Sequence, residues 1–283
     1  MADTQNTIYA QAYSNNIMQL AQAKYSKLLP TVYRKDNVRG KTFFQDQIGE
    51  WSMSVKGGRN VQTPNNGPAL ARRMGIMIDY HDNRMVDRGD ELKCISDPRS
   101  AYTIAAAAAL GRKIDDVIIT ALYSTAYYGE TGASSLTNSN IKLVTQAAVT
   151  LADIVTIKQK LDDADVEPDD RYIVCTNTAL SGLLQVSQAT SADYASVKAL
   201  VRGELDTWMG FKWITSTRIT DPTTSGCMFA YHKYGVCLAM ADAPMVRTTE
   251  RADLSYSWQV YYELNIGAVR LEEDRVVRCT TVA

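Results

Sequence analysis

The side chains best suited to acid–base and metal chemistry are few in this sequence and widely separated. The two histidines, His81 and His232, each lack a second metal-binding side chain at the i+4 spacing that helical zinc motifs use. His81 lies close to Asp79 and Asp82, and we interpret this group as a solvated polar cluster. The histidines therefore predict neither a metal centre nor a general base.

The densest acidic stretch, residues 162–170, suggests a calcium site because Ca²⁺ prefers clustered oxygen ligands. An EF-hand loop counted from Asp163 places Pro168 where the loop needs glycine and Val174 where it needs the closing glutamate. The motif fails, and a solvated helix end is the interpretation we favour. The adjacent acids at 272–274 cannot all converge on one substrate, so they do not indicate a glycosidase pair.

Other catalytic signatures are also missing from the sequence. There is no nucleophile elbow, P-loop or dinucleotide-binding motif, and Gly57 and Gly58 lack the strand-then-helix context of a phosphate-binding loop. The five cysteines contain no Cys-x-x-Cys pair, which favours small buried side chains over disulfides or zinc ligands. We predict no catalytic, cofactor-binding or metal-binding residue. One alternative is an α/β enzyme of unknown reaction that uses Cys175 or His232 with the acidic stretch.

The composition is that of an ordinary globular protein, with 283 residues, 46% hydrophobic, 22% charged and a net charge of −1. It contains no apolar run of about 18 residues and no basic-then-apolar secretion signal. We therefore expect synthesis in the cytoplasm and no membrane partner. Residues 1–100 hold 14 basic and 10 acidic side chains, against 16 and 21 in the remainder, an asymmetry too small to predict a dedicated nucleic-acid reader.

The N-terminal third predicts two extended parts. Residues 1–30 have apolar positions at helical spacing and end at Pro30, which predicts a helical arm. Residues 42–55 and 71–80 are β-like and flank a segment, 56–68, that is rich in Gly, Asn and Pro. Because an isolated hairpin is only marginally stable in water, a projection of this length needs another surface to lie against.

The strongest predicted helix covers residues 99–123, after an N-cap aspartate and Pro98 at the first helical position. Its apolar positions recur on one face, and its charged face carries Arg112, Lys113, Asp115 and Asp116. The rest of the chain predicts a mixed α/β region. It contains a capped helix from residue 150, a buried strand at 171–175, a helix capped at residue 177, a helix at 192–201 and short strands at 211–215, 227–231, 236–240, 258–264 and 276–280.

This order of arm, β excursion, long helix, mixed α/β region and terminal strand resembles the HK97-fold major capsid proteins of tailed bacteriophages. The local matches are ALGRKIDD at 109–116, the helix-to-strand passage at 161–178, MGFKW at 209–213 and NIGAVR at 265–270. The last of these is similar to a small-residue turn before the final strand of that family. The resemblance is one of order and pattern, and it covers nearly the whole chain.

The resemblance implies an α+β, HK97-like capsid fold. Residues 1–40 would form the N-terminal arm, 41–82 the extended E-loop, 83–130 with 265–283 the peripheral domain with its spine helix, and 131–264 the mixed α/β axial domain. It implies a major capsid protein whose pentamers and hexamers form the icosahedral head. A decoration or tail protein of the virion is the second alternative.

The resemblance also implies the partners. The chain would bind copies of itself, and packaged double-stranded DNA without sequence specificity. A portal, a decoration protein and a scaffold are further partners, and we expect the scaffold to be a separate polypeptide because the arm begins almost at residue 1. The candidate intersubunit contacts are charged residues of the loop and of the spine region, namely Lys56, Arg59, Arg72, Arg73, Asp115, Asp116 and Glu130. Lys56 lies near the loop tip, but nothing identifies a cross-linking partner for it.

Overall fold

The computed structural model describes residues 23, 25–87, 98–136, 142–146, 149–185, 207–219 and 226–281. The predicted arm up to residue 22 and the predicted helix at 192–201 lie outside these residues. The helices are α1 (Pro98–Tyr123), α2 (Leu151–Asp162) and α3 (Asn177–Gln185).

Short strands account for most of the remaining regular structure. The first seven are β1 (Tyr33–Lys35), β2 (Thr42–Ile48), β3 (Leu70–Ile76), β4 (Ile78–Val86), β5 (Ala126–Tyr128), β6 (Ser134–Leu136) and β7 (Lys142–Gln146). The others are β8 (Arg171–Cys175), β9 (Thr207–Trp208), β10 (Phe211–Thr215), β11 (Gly226–His232), β12 (Val236–Met240), β13 (Met245–Arg251), β14 (Ser257–Arg270) and β15 (Val276–Thr281).

The described strands form three sheets. One has the order β1-β12-β14-β13, with β4 paired along the opposite edge of β14. The second has the order β7-β15-β11-β8-β10-β9, and the third, β2-β3-β5-β6, contains the predicted hairpin. The 14-residue strand β14 is the common element of the first sheet, because β4, β12 and β13 all pair with it.

Helix α1 confirms the strongest sequence prediction, since it runs for 26 residues from Pro98 to Tyr123. Leu110, Ile114, Ile118 and Leu122 recur every four residues and are buried in the largest core, where they pack against side chains of the first two sheets. The sequence predicted Asp115 on the exposed charged face of α1, but its side chain is buried, with 3% exposure. Hydrogen bonds to its carboxylate account for this difference.

A second core lies between α2 and the six-stranded sheet. The predicted capping box is present at the start of α2, where the Thr150 side chain accepts from the Asp153 amide and the Asp153 carboxylate accepts from the Thr150 amide. The five residues of β8 are all buried, as their apolar run predicted. At α3 the cap is Thr176, whose Oγ1 accepts from the Ala179 amide at 3.2 Å, so the prediction of Asn177 as the cap is wrong.

The predicted hairpin is present, but its strands are shorter than the sequence indicated. Strands β2 and β3 pair antiparallel from Thr42↔Ile76 to Ile48↔Leu70, and residues 49–69 form a loop without regular structure. The second predicted strand breaks at Met77, whose side chain turns into a small core. The chain then enters β4 and pairs with β14 instead of continuing the hairpin.

Residues 265–270 do not form the turn that the resemblance implied, because they lie inside β14. The small residue Gly267 lets the backbone at Ile76 pass close over β14, because a Cβ on Gly267 would lie 2.2 Å from the Ile76 carbonyl oxygen.

Strand pairing also crosses the predicted domain limits, since β4 pairs with β14 and β15 pairs with β11. The division into arm, E-loop, peripheral and axial segments remains a prediction.

The crossing at Gly267 provides a test of this packing. Gly267→Ala should lower the free energy of unfolding by about 3 kcal/mol, because the new methyl group meets backbone atoms that cannot rotate away. Gly57→Ala is the matched control, since a Cβ at that position would have no atom within 4 Å, and it should change stability by less than about 0.5 kcal/mol. Urea denaturation measures both, and equal stabilities of the two variants would contradict the close approach.

Candidate assembly surface

The hairpin and its loop, residues 48–70, expose a concentration of large apolar side chains. Met53 and Val55 are each 97% exposed. The other exposed apolar residues of this segment are Ile48, Trp51, Val61 and Leu70. Contiguous exposed apolar side chains usually mark an interface, because a soluble chain gains by covering them.

The apolar residues of the loop alternate with polar ones, so that Trp51, Met53 and Val55 are separated by Ser52 and Ser54. In an extended segment this period of two places the apolar side chains on one face. The loop ends meet where the Gly49 amide donates to the Ala69 carbonyl oxygen at 2.7 Å. In the part of the chain that the structure describes, the apolar residues of this loop remain exposed.

The base of the hairpin is anchored on the segment that follows β14. Arg73 Nε and Gln47 Nε2 both donate to the Leu271 carbonyl oxygen, at 2.7 and 3.1 Å. The Arg73 side chain is 11% exposed, and its Nη2 lies 3.8 Å from Glu273 Oε1. Burial lowers the pKa of Arg73, against the opposing effect of Glu273. Arg73 therefore binds groups of its own chain, which argues against the predicted intersubunit contact at this residue.

The neighbouring arginine has a different environment. Arg72 Nε donates to Asp46 Oδ1 at 2.5 Å across the hairpin, and both side chains are largely exposed. The Arg72 guanidinium lowers the pKa of Asp46. Because this pair joins β2 to β3 within one hairpin, Arg72 also has an intrachain partner that the sequence did not reveal. The two adjacent arginines therefore have different surroundings: Arg72 pairs with Asp46 at the surface, whereas Arg73 is nearly buried at the base of the hairpin.

Asp115 holds the chain that enters the body of the protein before β1. Its carboxylate accepts from Ser26 Oγ at 2.6 Å and from the amides of Lys27 and Leu28 at 3.2 and 3.1 Å. Gly111, one turn earlier in α1, allows this approach, because a Cβ there would lie 2.9 Å from the Ser26 amide nitrogen. A buried carboxylate with donors of its own chain is poorly placed to meet an arginine of a neighbouring subunit, which argues against the predicted intersubunit contact of Asp115.

Asp116 lies at the surface and pairs with Arg218, whose Nε donates to Asp116 Oδ1 at 2.8 Å. This leaves three of the predicted contacts without an ion pair to any residue that the structure describes: Lys56, Arg59 and Glu130. All three are exposed or partly exposed. They are the charged residues from the original set that remain available to a second subunit.

An acidic cavity of about 360 Å³ lies on the first sheet, beside the start of β4 and the middle of β14. Asp79, Asp242 and Glu263 line it. Cross-strand pairing brings two of these strands together, since Asn265 pairs with Asp79 and Glu263 with His81. No pattern in the sequence indicated this cavity, because its carboxylates come from three separate segments. Its charge is opposite to that of the hairpin loop.

Of the residues in the alternative enzyme interpretation, His232 lies beside Glu167 of the acidic stretch, whereas Cys175 lies apart from His232. Strand pairing sets Cys175 opposite Met228 and His232 opposite Arg171, which separates Cys175 from His232 by about 13 Å along the sheet. Burial raises the pKa of the Cys175 thiol to about 12. The described residues contain no group of three or more His, Cys, Asp or Glu side chains that could hold a metal ion.

None of the described helices has the length and apolar character needed to cross a bilayer.

His232 is buried in a charged network at the end of β11. Its Nδ1 faces two donors, Arg275 Nη1 at 3.1 Å and the Tyr234 amide at 3.4 Å. Since arginine can only donate, Nδ1 is the acceptor and the neutral ring carries its proton on Nε2. Glu167, which binds Arg275 at 2.7 Å, lies 3.9 Å from Nε2. Burial and the charge of Arg275 favour the neutral ring, against the opposing effect of Glu167.

Because Asp115 is buried and Asp116 lies at the surface, replacing them by alanine should lower the free energy of unfolding by different amounts. Asp115→Ala should lower the free energy of unfolding by about 3 kcal/mol, because it leaves buried backbone amides without an acceptor. Asp116→Ala removes a surface pair and should cost at most about 1 kcal/mol. Chemical denaturation of both variants measures the difference, and a cost for Asp115→Ala no larger than that for Asp116→Ala would contradict the assigned role.

His232 predicts a pH dependence of stability. Burial, followed by the charge of Arg275, lowers the pKa of His232 below its ordinary value of 6.5 in the folded state. The unfolded chain therefore binds this proton more readily, and the stability contribution present above pH 6.5 is lost as the pH falls toward the folded-state pKa. His232→Gln should flatten the stability curve between about pH 5 and 6.5, where carboxylates contribute little. Thermal melts across this range that are identical for both proteins would contradict it.

Comparisons with known proteins agree with this architecture. The model of a family described as phage capsid protein matches residues 5–282, whereas no curated protein sequence matches the chain. A structure from Mycobacterium phage Che8 is 20% identical, with a TM-score of 0.72 over 95% of this chain and 96% of that one. The capsid of cyanophage P-SCSP1u is 14% identical, with a TM-score of 0.76 over 100% and 95%.

The capsid of Ralstonia phage GP4 is only 9% identical, yet it has a TM-score of 0.71 over 100% of this chain and 98% of that one. Similarity at these identities is similarity of fold, and it confirms the predicted α+β, HK97-like architecture. The family match extends over nearly all of the sequence. The chain therefore belongs to the phage capsid protein family.

Proposed function

We propose that this protein is the major capsid protein of a phage head, and that it self-assembles through pentamers and hexamers into a closed icosahedral shell around double-stranded DNA. The observation that carries the proposal is the projecting loop 49–69 with its exposed apolar face. Membership of a phage capsid family supports it. The protein would act structurally, without a catalytic role, as part of the virion.

Assembly follows from contacts between different surfaces of identical subunits. Such heterologous contacts form rings, and a shell can close when the same chain fits both five-fold and six-fold rings. The loop of one subunit would lie on the body of the next and cover its apolar face there. This contact would also protect exposed strand edges, which otherwise promote aggregation.

Apolar burial should contribute more to this contact than ion pairs. Each large apolar side chain that becomes buried contributes about 1.5–3 kcal/mol, whereas an exposed ion pair contributes about 0–1 kcal/mol. Met53 and Val55, being almost fully exposed, would therefore supply more energy than Lys56 and Arg59. The two basic side chains would set orientation, because charge complementarity mainly affects specificity and association rate.

Two acidic sites among the described residues could receive Lys56 and Arg59 of a second copy. Glu130 lies at the surface beside the hairpin base, and the cavity lined by Asp79, Asp242 and Glu263 lies on the first sheet. Their charge is complementary to the loop. The cavity offers several carboxylates at once, which favours it as the binding place of a lysine or arginine side chain.

The net charge of −1 suits a container for DNA. A strongly basic wall would bind the packaged duplex tightly and in a salt-dependent manner, whereas a balanced surface would contact it weakly and without sequence preference. Assembly would take place in the cytoplasm of the bacterial host. A scaffold, a portal and a decoration protein are further partners that this role would accommodate.

Deleting residues 56–68 tests the proposed role of the loop. The deletion should leave a folded subunit, because the loop ends already meet at Gly49 and Ala69, but assembly should be lost. Circular dichroism checks folding, and size-exclusion chromatography with negative-stain microscopy checks for rings and shells. Val155→Ser, which alters an exposed apolar residue on α2 instead, is the control and should assemble normally.

Normal shells from the deletion variant would contradict the role of the loop. A small discrete oligomer of the wild-type chain, with no rings or shells at any concentration, would instead favour the decoration-protein or enzyme alternatives. Both outcomes are visible in the same microscopy experiment.

A further inference from the structure

We propose that Arg73 is a positioning residue for assembly, which holds the hairpin at a fixed angle to the end of helix α1 through Leu271 and Glu273. This inference rests on the proposed function, because it assigns a role in presenting the loop to the next subunit. Arg73 itself would make no contact with that subunit.

The first step is that the contacts that hold the hairpin lie at its base, where Phe43 is buried in a small core and Ile76 crosses Gly267. Strand β3 continues into the body through two residue pairs with β5, Arg73↔Tyr128 and Met74↔Tyr127. The loop beyond Ile48 and Leu70 has no regular strand pairing. A small rotation at the base would therefore displace the exposed apolar face by a much larger distance.

The second step is that Arg73 reaches across from the hairpin to the segment after β14. Its Nε donates to the Leu271 carbonyl oxygen at 2.7 Å, its Nη2 lies 3.8 Å from Glu273 Oε1, and its guanidinium lies 5.8 Å from the centre of the Tyr128 ring. The side chain is nearly buried, so these interactions are shielded from water and stronger than surface pairs. Arg73 thus joins the hairpin sheet to the segment that follows β14.

The third step is that Glu273 connects this contact to the end of α1. Arg270 is fully buried, and its Nε donates to Glu273 Oε2 at 2.6 Å. Its Nη1 donates to the Ser124 carbonyl oxygen at 2.9 Å and to the carbonyl oxygens of Ala121 and Leu122 at 3.3 Å. These carbonyl groups lie at or just beyond the helix end, where a cation is favourable. The hairpin and α1 are therefore linked through one carboxylate.

Hydrogen–deuterium exchange of the unassembled subunit tests the proposal directly. Arg73→Ala should accelerate exchange of the β2 and β3 amides about ten- to a hundredfold, the effect of losing a charged hydrogen bond. Amides of β8 and β11 should not change. The variant should still fold, because Glu273 keeps its pair with Arg270 and Leu271 keeps its bond from Gln47.

Two further variants separate positioning from general stability. Arg72→Ala removes an exposed pair on the same strand and should change exchange by at most a few-fold. Arg73→Lys keeps the charge near Glu273 but loses the Nε donor that binds the Leu271 carbonyl oxygen, so it should give intermediate exchange. In assembly assays, Arg73→Ala should reduce the yield of closed shells at least about tenfold relative to Arg72→Ala.

Each outcome decides the proposal. Equal exchange in the Arg73→Ala and Arg72→Ala variants would overturn it, whether or not the wild type assembles. Faster exchange accompanied by normal shell yield and size would also overturn the positioning role. A wild-type chain that forms no shells would overturn the proposed function, and this result is separate because exchange is measured on free subunits.

Discussion

The contact between helix α1 and the long strand β14 is the constraint on which the rest of the structure depends. Apolar side chains recur every four residues on the helix and are buried against the sheet that β14 organises. This burial fixes the two longest elements relative to each other. The hairpin then contacts β14, and the chain before β1 contacts α1.

These starting points are set by small residues and by buried polar groups. Gly267 lets the end of the hairpin pass over β14, and Gly111 lets the chain before β1 approach α1. Asp115 and Arg270 then satisfy backbone groups at these places. Because a buried ion or amide without a partner is costly, these anchors fix where the hairpin and residues 26–28 contact the body. The main role of these buried polar side chains is therefore to hold segments of the chain in place.

The exposed part of the hairpin has the opposite character. It presents apolar side chains and basic groups without an intrachain ion pair among the described residues, as for Lys56 and Arg59. An anchored base and an uncovered apolar loop together suit a contact that repeats many times around a shell. The stabilisation would come from apolar burial, while the anchored base would keep the geometry of each contact alike.

The sequence by itself determined those features that depend on neighbours along the chain. The period of the apolar residues predicted α1, the Thr150 and Asp153 pair predicted the start of α2, and the apolar run predicted β8. The order of these elements was enough to indicate the capsid fold. Local spacing also identified the hairpin, although not the break at Met77, because that break depends on a core formed by distant residues.

Only the tertiary structure decided which charged residues are free to meet another subunit. Asp115 and Asp116 are adjacent in the sequence, as are Arg72 and Arg73, yet one member of each pair is buried or nearly so and the other lies at the surface. Their partners, Ser26, Arg218, Asp46 and Leu271, lie 26 to 198 positions away along the chain. Residue type fixes the charge of a side chain, but the fold determines its hydrogen-bond partners and its access to water.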